Sequence, residues 1–265
     1  MPIVEHEGAS VAYVRDGRGP AVVLVHGTGG DGTSTYKGLD RRLREHWTVI
    51  RPDYSGSGVT KDDGRSLELE DLASQVLAAA TDAGAERFHL LGHSLGASVC
   101  VQLAASAPER VQSLTLVAGF ADADPRLRLQ MELWRELVDH DRKAMSRLLL
   151  LSGMHPDRLA SMSSRAVELA VNAVFHQTKW AGMARQIELD LRADVTDALA
   201  KVRAPTLVVG CSQDFIAPPS NSRALATAIS EARYVELDAG HFVTSEDPDG
   251  LAALAQEHWR AHPIP

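Results

Sequence analysis

Gly92-His93-Ser94-Leu95-Gly96 stands between an apolar run, Phe88–Leu91, and a small-residue-rich stretch, Leu95–Ala107, that stops at Pro108. The run reads as a strand and the stretch as a helix. A G-x-S-x-G sequence at such a junction makes a turn sharp enough to strain the backbone of its central serine. Side chains two positions before and two after Ser94 would collide, so glycine is required at 92 and 96. The turn lifts the Ser94 hydroxyl above the strand end. It also leaves free N–H groups at the helix N-terminus, where negative charge is favoured. The plain alternative is a tight strand-to-helix turn with an incidental serine. Ser98, one helical turn on, reads as a packed or capping hydroxyl, and His93 as a structural group pointing away from Ser94.

The same alternation extends outward from this turn. Ser10–Val14 alternates like a strand, and Ala21–Val25 is a β-branched run suited to burial on both faces. Trp47–Arg51 reads as a strand closed by Pro52. Leu67–Ala80 has helical spacing, and Leu114–Ala118 is the next strand. Strand–helix alternation of this kind argues for a parallel sheet with helices on both faces. From Ala121 to Val195 the strands stop. Helical stretches replace them at Pro125–Asp139, Arg142–Leu151, Asp157–Gln177 and Trp180–Leu191. The alternation resumes with a strand at Thr206–Gly210, a helix at Asn221–Ile229, a strand at Arg233–Leu237 and a closing helix at Leu251–His258. A helical insert, residues 121–195, therefore interrupts an α/β core formed by residues 1–120 and 196–265.

Bulk properties narrow the function. Of 265 residues, 45% are hydrophobic, enough for a large core. The net charge of −8 is scattered and no basic stripe occurs, which argues against nucleic acid as a partner. No apolar run approaches the roughly eighteen residues of a membrane span, so no membrane partner is expected. The first residues lack a basic segment followed by an apolar run, so the expected compartment is the cytoplasm. Cys100 and Cys211 lie far apart and in no CxxC pattern, and read as buried thiols. The eleven histidines form no HExxH pattern. Neither a metal nor a cofactor is called for.

A serine nucleophile needs a base, and the base needs an acid. His241 lies just after the strand Arg233–Leu237, where a loop returns it to the edge that carries Ser94. His140, His155 and His176 fall in the insert, and His258 and His262 near the C-terminus. Asp214 follows the strand Thr206–Gly210 on the same edge. Asp122 and Asp124, after a different strand, are its rivals. The order Ser94, Asp214, His241 differs from the orders in chymotrypsin and subtilisin. An oxyanion needs two preorganised N–H donors. Leu95 supplies one. The loop His26-Gly27-Thr28-Gly29-Gly30 supplies the other, assigned to Thr28 with Gly29 as the alternative. Phosphate binding by this loop has no GxxxxGK[ST] or GxGxxG pattern behind it.

The chain resembles the small, capped members of the α/β-hydrolase superfamily. The resemblance rests on His26-Gly27-Thr28-Gly29, Pro52-Asp53-Tyr54-Ser55-Gly56-Ser57-Gly58, the Gly92–Gly96 turn, the Asp214 loop and Gly240-His241. It covers residues 1–120 and 196–265. It implies a sheet of about eight strands, mostly parallel, with residues 121–195 as a helical cap over the site. It also implies a structural turn at Asp53, Gly56 and Gly58. Serine at position 94 departs from epoxide hydrolases and haloalkane dehalogenases, which carry aspartate there.

The implied activity is hydrolysis of a carboxylic ester, lactone or thioester through an acyl-enzyme on Ser94. Two alternatives stay open: a biosynthetic acyltransferase or thioesterase using the same residues, and a ligand sensor with a vestigial triad. The expected partner is a small acyl substrate of apolar character, free or carrier-bound. Phe120, Trp134, Trp180, Met183, Phe215 and Phe242 are candidates for the acyl pocket, and Arg128, Arg165 and Arg185 for binding an anion. Because the triad and both oxyanion donors lie outside residues 121–195, the insert is expected to select the acyl group and leave the chemistry alone.

Overall fold

The structure, a computed structural model, describes residues 1–265. Eight strands form one sheet: β1 (Ile3–His6), β2 (Ala9–Gly17), β3 (Ala21–Val25), β4 (Thr48–Asp53), β5 (Phe88–His93), β6 (Val111–Val117), β7 (Thr206–Cys211) and β8 (Arg233–Leu237). Their spatial order is β1-β2-β4-β3-β5-β6-β7-β8. Only β2 runs against its neighbours, pairing antiparallel with β1 and β4. The central strands are buried on both faces and alternate between two cores. Val23, Val25, Leu90, Leu114 and Leu116 face one core, while Val22, Leu24, Leu91, Val117 and Val209 face the other. Successive strand side chains point to opposite faces, which is why these runs are almost continuously apolar.

Helices cover both faces. The larger core lies under α2 (Leu69–Asp82) and α3 (Leu95–Ser106), and the smaller under α1 (Lys37–Leu43) and, late in the chain, the closing helix at Pro248–Ala261. Residues of α3 are buried on every side, including Leu95, Ala97, Val99, Cys100 and Val101, as befits a helix sandwiched against the sheet. The insert between β6 and β7 holds five helices: α4 (Pro125–His140), α5 (Arg142–Gly153), α6 (Pro156–Ala160), α7 (Ser164–Gln177) and α8 (Trp180–Asp190). Asp124 caps α4 by accepting from Leu127 N at 2.8 Å, and Pro125 begins the first turn. The two ends of this insert are joined, with Val195 N donating to Ala121 O and Asp122 bridged to Asp194. The chain then returns through α9 (Thr196–Leu199), α10 (Pro219–Ala228), α11 (Val243–Glu246) and α12 (Pro248–Ala261).

The structure departs from the sequence expectations in three places. Pro52 lies within β4 and does not close it. Pairing of β4 with β3 ends at Ile50, so Pro52 stands where the strand borders only β2. Asp157–Gln177 is two helices, because Ser163 turns its hydroxyl onto Ala166 N and caps a new start. β1 and α1 add elements at the edge and the flank that periodicity did not indicate. Both cysteines are buried and unpaired. No helix is long and apolar enough to cross a membrane.

Candidate active site

The parallel strands end on one edge of the sheet, and that edge gathers the candidate residues. Ser94 joins β5 to α3 with φ 58° and ψ −127°, a conformation that costs on the order of 1–3 kcal/mol for a non-glycine residue. The flanking glycines make this turn possible. A Cβ on Gly96 would come within 2.2 Å of Val25 O, and one on Gly92 within 2.2 Å of Gly96 O. Ser98, as expected, is a packed hydroxyl, donating to Phe120 O at 2.9 Å.

Asp214 follows β7 and His241 follows β8. Asp214 is buried, and its Oδ1 accepts from Ile216 N and Ala217 N at 2.8 and 2.9 Å. Its Oδ2 lies 2.7 Å from His241 Nδ1. An ionised carboxylate only accepts, so Nδ1 carries the proton and Nε2 keeps its lone pair. Ser94 and His241 face one cavity of about 300 Å³, and no hydrogen bond joins Oγ to Nε2. Such bonds are commonly long before substrate arrives. The loop of His241 is held from two sides. His93 Nε2 donates to His241 O at 2.8 Å, and Glu246 accepts from Gly240 N at 2.7 Å. Burial drives the His93 imidazole down to about 3, so it stays neutral and structural. The Asp124 carboxylate is engaged elsewhere, capping α4 and accepting from Asn221 Nδ2, while Asp122 is exposed and pairs through its backbone with Asp194.

Two backbone amides, that of Leu95 next to Ser94 and that of Thr28 on the cavity wall, have no protein acceptor. Leu95 N is the first amide of α3 and has no partner within the helix. Thr28 N donates to no protein oxygen, whereas Gly29 N is taken by Gln186 Oε1 at 2.7 Å. That contact separates the two candidates named for the second oxyanion donor and leaves Thr28 with the free amide. Asp53, at the end of β4, accepts from Gly32 N and braces the same loop.

Phe120, Trp134, Met183 and Phe242 line the cavity, together with Leu127, Met131, Leu149 and Ile216. Trp180 and Phe215 do not. Trp180 is held within the insert, its Nε1 donating to Phe175 O and its ring lying under the Arg142 guanidinium. Phe215 is 49% exposed, because the bonds from Ile216 N and Ala217 N to Asp214 turn the following residues inward instead. No arginine or lysine lines the cavity. Arg185 is spent on Asp62 Oδ1 at 2.8 Å.

One lining residue escaped the sequence reading. Asp190, the last residue of α8, is 2% exposed and accepts the Thr28 hydroxyl on Oδ2 at 2.7 Å, while Oδ1 has no partner. Its signal was present: Met183, Ile187 and Asp190 share the apolar stripe of the helix, and a carboxylate there is out of place. Burial pushes its carboxyl up to about 7, against the opposing pull of the Thr28 hydrogen bond. The consequence for stability has a definite sign. An unfolded aspartate releases its proton near 3.8, while the folded Asp190 keeps it to about 7. Stability is therefore lost across that window as pH rises. Asp190→Asn, which cannot ionise, should gain melting temperature relative to the parent between pH 4 and pH 8, by an amount equivalent to at most about 4 kcal/mol. A melting-temperature difference that stays constant across this range would contradict the assignment.

A family model described as the alpha/beta hydrolase fold matches residues 20–248. The chain belongs to this family. A protein of Xenorhabdus hominickii named pyrrolizixenacetamide deacetylase is 43% identical over 258 residues, 97% of each chain. Among solved structures, the enol-lactonase of Burkholderia xenovorans aligns with a TM-score of 0.85 at 25% identity, covering 97% of this chain and 99% of that one. An α/β-hydrolase enzyme from a Medee basin deep-sea metagenome library aligns with a TM-score of 0.90 at 19% identity. It covers 100% of this chain and 99% of its own, a likeness of fold. Together with the eight-stranded sheet, these relatives place the chain among hydrolases of ester-type bonds.

Proposed function

We propose that this α/β-hydrolase removes a short acyl group from an amide or ester of a largely apolar substrate, through an acyl-enzyme on Ser94. The carrying observation is the 2.7 Å bond from His241 Nδ1 to the buried Asp214 Oδ2, with His241 and the strained Ser94 at the mouth of α3 both on one cavity. His241 takes the Ser94 proton as Oγ attacks the carbonyl carbon. Thr28 N and Leu95 N hold the oxyanion, and His241 then delivers the proton to the leaving amine or alkoxide. Water, activated by the same imidazole, releases the acid and frees Ser94. Asp214 fixes the ring and balances its charge when protonated.

The bond class widens beyond the ester, lactone and thioester expected from sequence. The relative from Xenorhabdus carries a name that specifies removal of an acetyl group from an acetamide, and its identity extends over nearly the whole of both chains. The lining supports a neutral, apolar substrate: its bulk is aliphatic, aromatic and thioether, and its only charged candidates are acidic or imidazole. Residues 121–195 act as the cap, because Leu127, Met131, Trp134, Leu149 and Met183 all come from it.

The test is a series of anilides and p-nitrophenyl esters with acyl chains from acetyl upward. Acetyl substrates of both kinds should turn over in the parent enzyme. Trp134→Ala should shift preference toward longer chains. Trp180→Ala, away from the cavity, should lower the melting temperature, at about 25 cal/mol per Å² of lost apolar contact, and leave the profile unchanged. The pocket assignment fails if both variants keep the parent profile, and the short-acyl reading fails if acetyl substrates are the poorest of the series.

A further inference from the structure

Helix α8 grips the oxyanion loop with two fully buried polar side chains. Asp190 Oδ2 accepts the Thr28 hydroxyl at 2.7 Å, and Gln186 Oε1 accepts Gly29 N at 2.7 Å. The far end of Gln186 donates to Ser57 Oγ at 2.8 Å, which ties the loop to the turn after β4. The same face of α8 packs down on both segments. A Cβ on Gly182 would stand 1.8 Å from Gly56 O, and one on Gly29 would stand 3.1 Å from Met183 Sδ. Positions 182, 186 and 190 are spaced by four, so one helical stripe supplies the packing contact and both hydrogen bonds.

Buried polar groups of this kind add little stability and can cost some. Asp190 leaves one carboxyl oxygen unpartnered inside the protein. Their geometry serves the loop instead. Thr28 lines the cavity and its amide is free, and two attachments around that amide, its own hydroxyl and the next residue's amide, both end on α8.

We infer that Gln186 and Asp190 are positioning residues that hold the Thr28 amide at the oxyanion site, so that the helical insert completes the catalytic machinery. On this inference residues 121–195 take part in the chemistry as well as in the selectivity expected of them. It rests on Ser94 being the nucleophile. Thr28 needs an oxygen acceptor at this position. Burial keeps Asp190 protonated up to about pH 7, and an asparagine side chain offers an equivalent carbonyl.

The experiment measures kcat and KM on p-nitrophenyl acetate, with final fluorophosphonate labelling and melting temperature, for Asp190→Ala, Asp190→Asn, Thr28→Val and the double variant Thr28→Val/Asp190→Ala. Thr28→Val keeps the backbone amide and removes only its tether. Loss of a whole oxyanion donor costs on the order of 10²–10³ in kcat, so loosening one should cost about tenfold or more. Asp190→Ala and Thr28→Val should each show that loss in kcat, with KM changed less than about threefold. The double variant should be no worse than either single one, and Asp190→Asn should recover most of the loss. Labelling of Ser94 should still reach completion in all four. The inference is overturned if Thr28→Val keeps kcat within about twofold of the parent, if the single losses multiply in the double variant, or if the effect falls on KM. Should Asp190→Ala fail to fold, Thr28→Val and Asp190→Asn decide it alone. A parent enzyme whose Ser94 resists labelling would instead overturn the proposed function.

Discussion

Asp214→Asn is expected to lower kcat by about 10⁴-fold while leaving the fold in place. The fold survives because an amide oxygen still accepts from Ile216 N and Ala217 N, the two bonds that shape the loop. The chemistry does not survive, because the amide nitrogen cannot accept from His241 Nδ1. The ring then favours the tautomer protonated at Nε2, which has no lone pair for the Ser94 proton. Asp124→Asn is the control. Asparagine caps a helix as well as aspartate does, so α4 should keep its start and kcat its value. A crippling Asp124→Asn beside a nearly silent Asp214→Asn would reassign the acid.

Ser94→Ala should cost still more, on the order of 10⁶ in kcat, because the attacking oxygen itself is removed. Ser98 is committed to Phe120 O and cannot substitute. Alanine at φ 58° keeps the strain of the serine, so the melting temperature should stay close to that of the parent. Activity on acetyl esters persisting in this variant at more than about a thousandth of the parent value would remove Ser94 from the mechanism.

The parts of this molecule that were readable from sequence are those fixed by local constraint. The turn at Ser94 demands glycine on both sides, and the strands around it are buried on both faces, so composition and position agree there. The insert was visible as an interruption of that alternation. What stayed hidden has a common cause. β1 is a four-residue edge strand with alternating burial, too short to carry a period. α1 is seven residues long and largely charged. The inward turn of Ile216 and Ala217, which left Phe215 outside, depends on two amides meeting one carboxylate. The tie between Thr28 and Asp190 spans 162 positions, and only the folded chain brings them together. That Ser94, Asp214 and His241 share one sheet edge could be inferred from strand ends on a parallel sheet, but the tie of Thr28 to α8 could not, since its partners belong to a different segment.

The most direct test of the account is the site of covalent capture. The protein is treated with a fluorophosphonate, digested, and mapped by mass spectrometry, alongside Ser94→Ala. A single adduct on the peptide that carries Ser94, absent from the variant, is the predicted result. An adduct on another residue, or one that persists in Ser94→Ala together with hydrolytic activity, would contradict the assignment of Ser94 as the nucleophile.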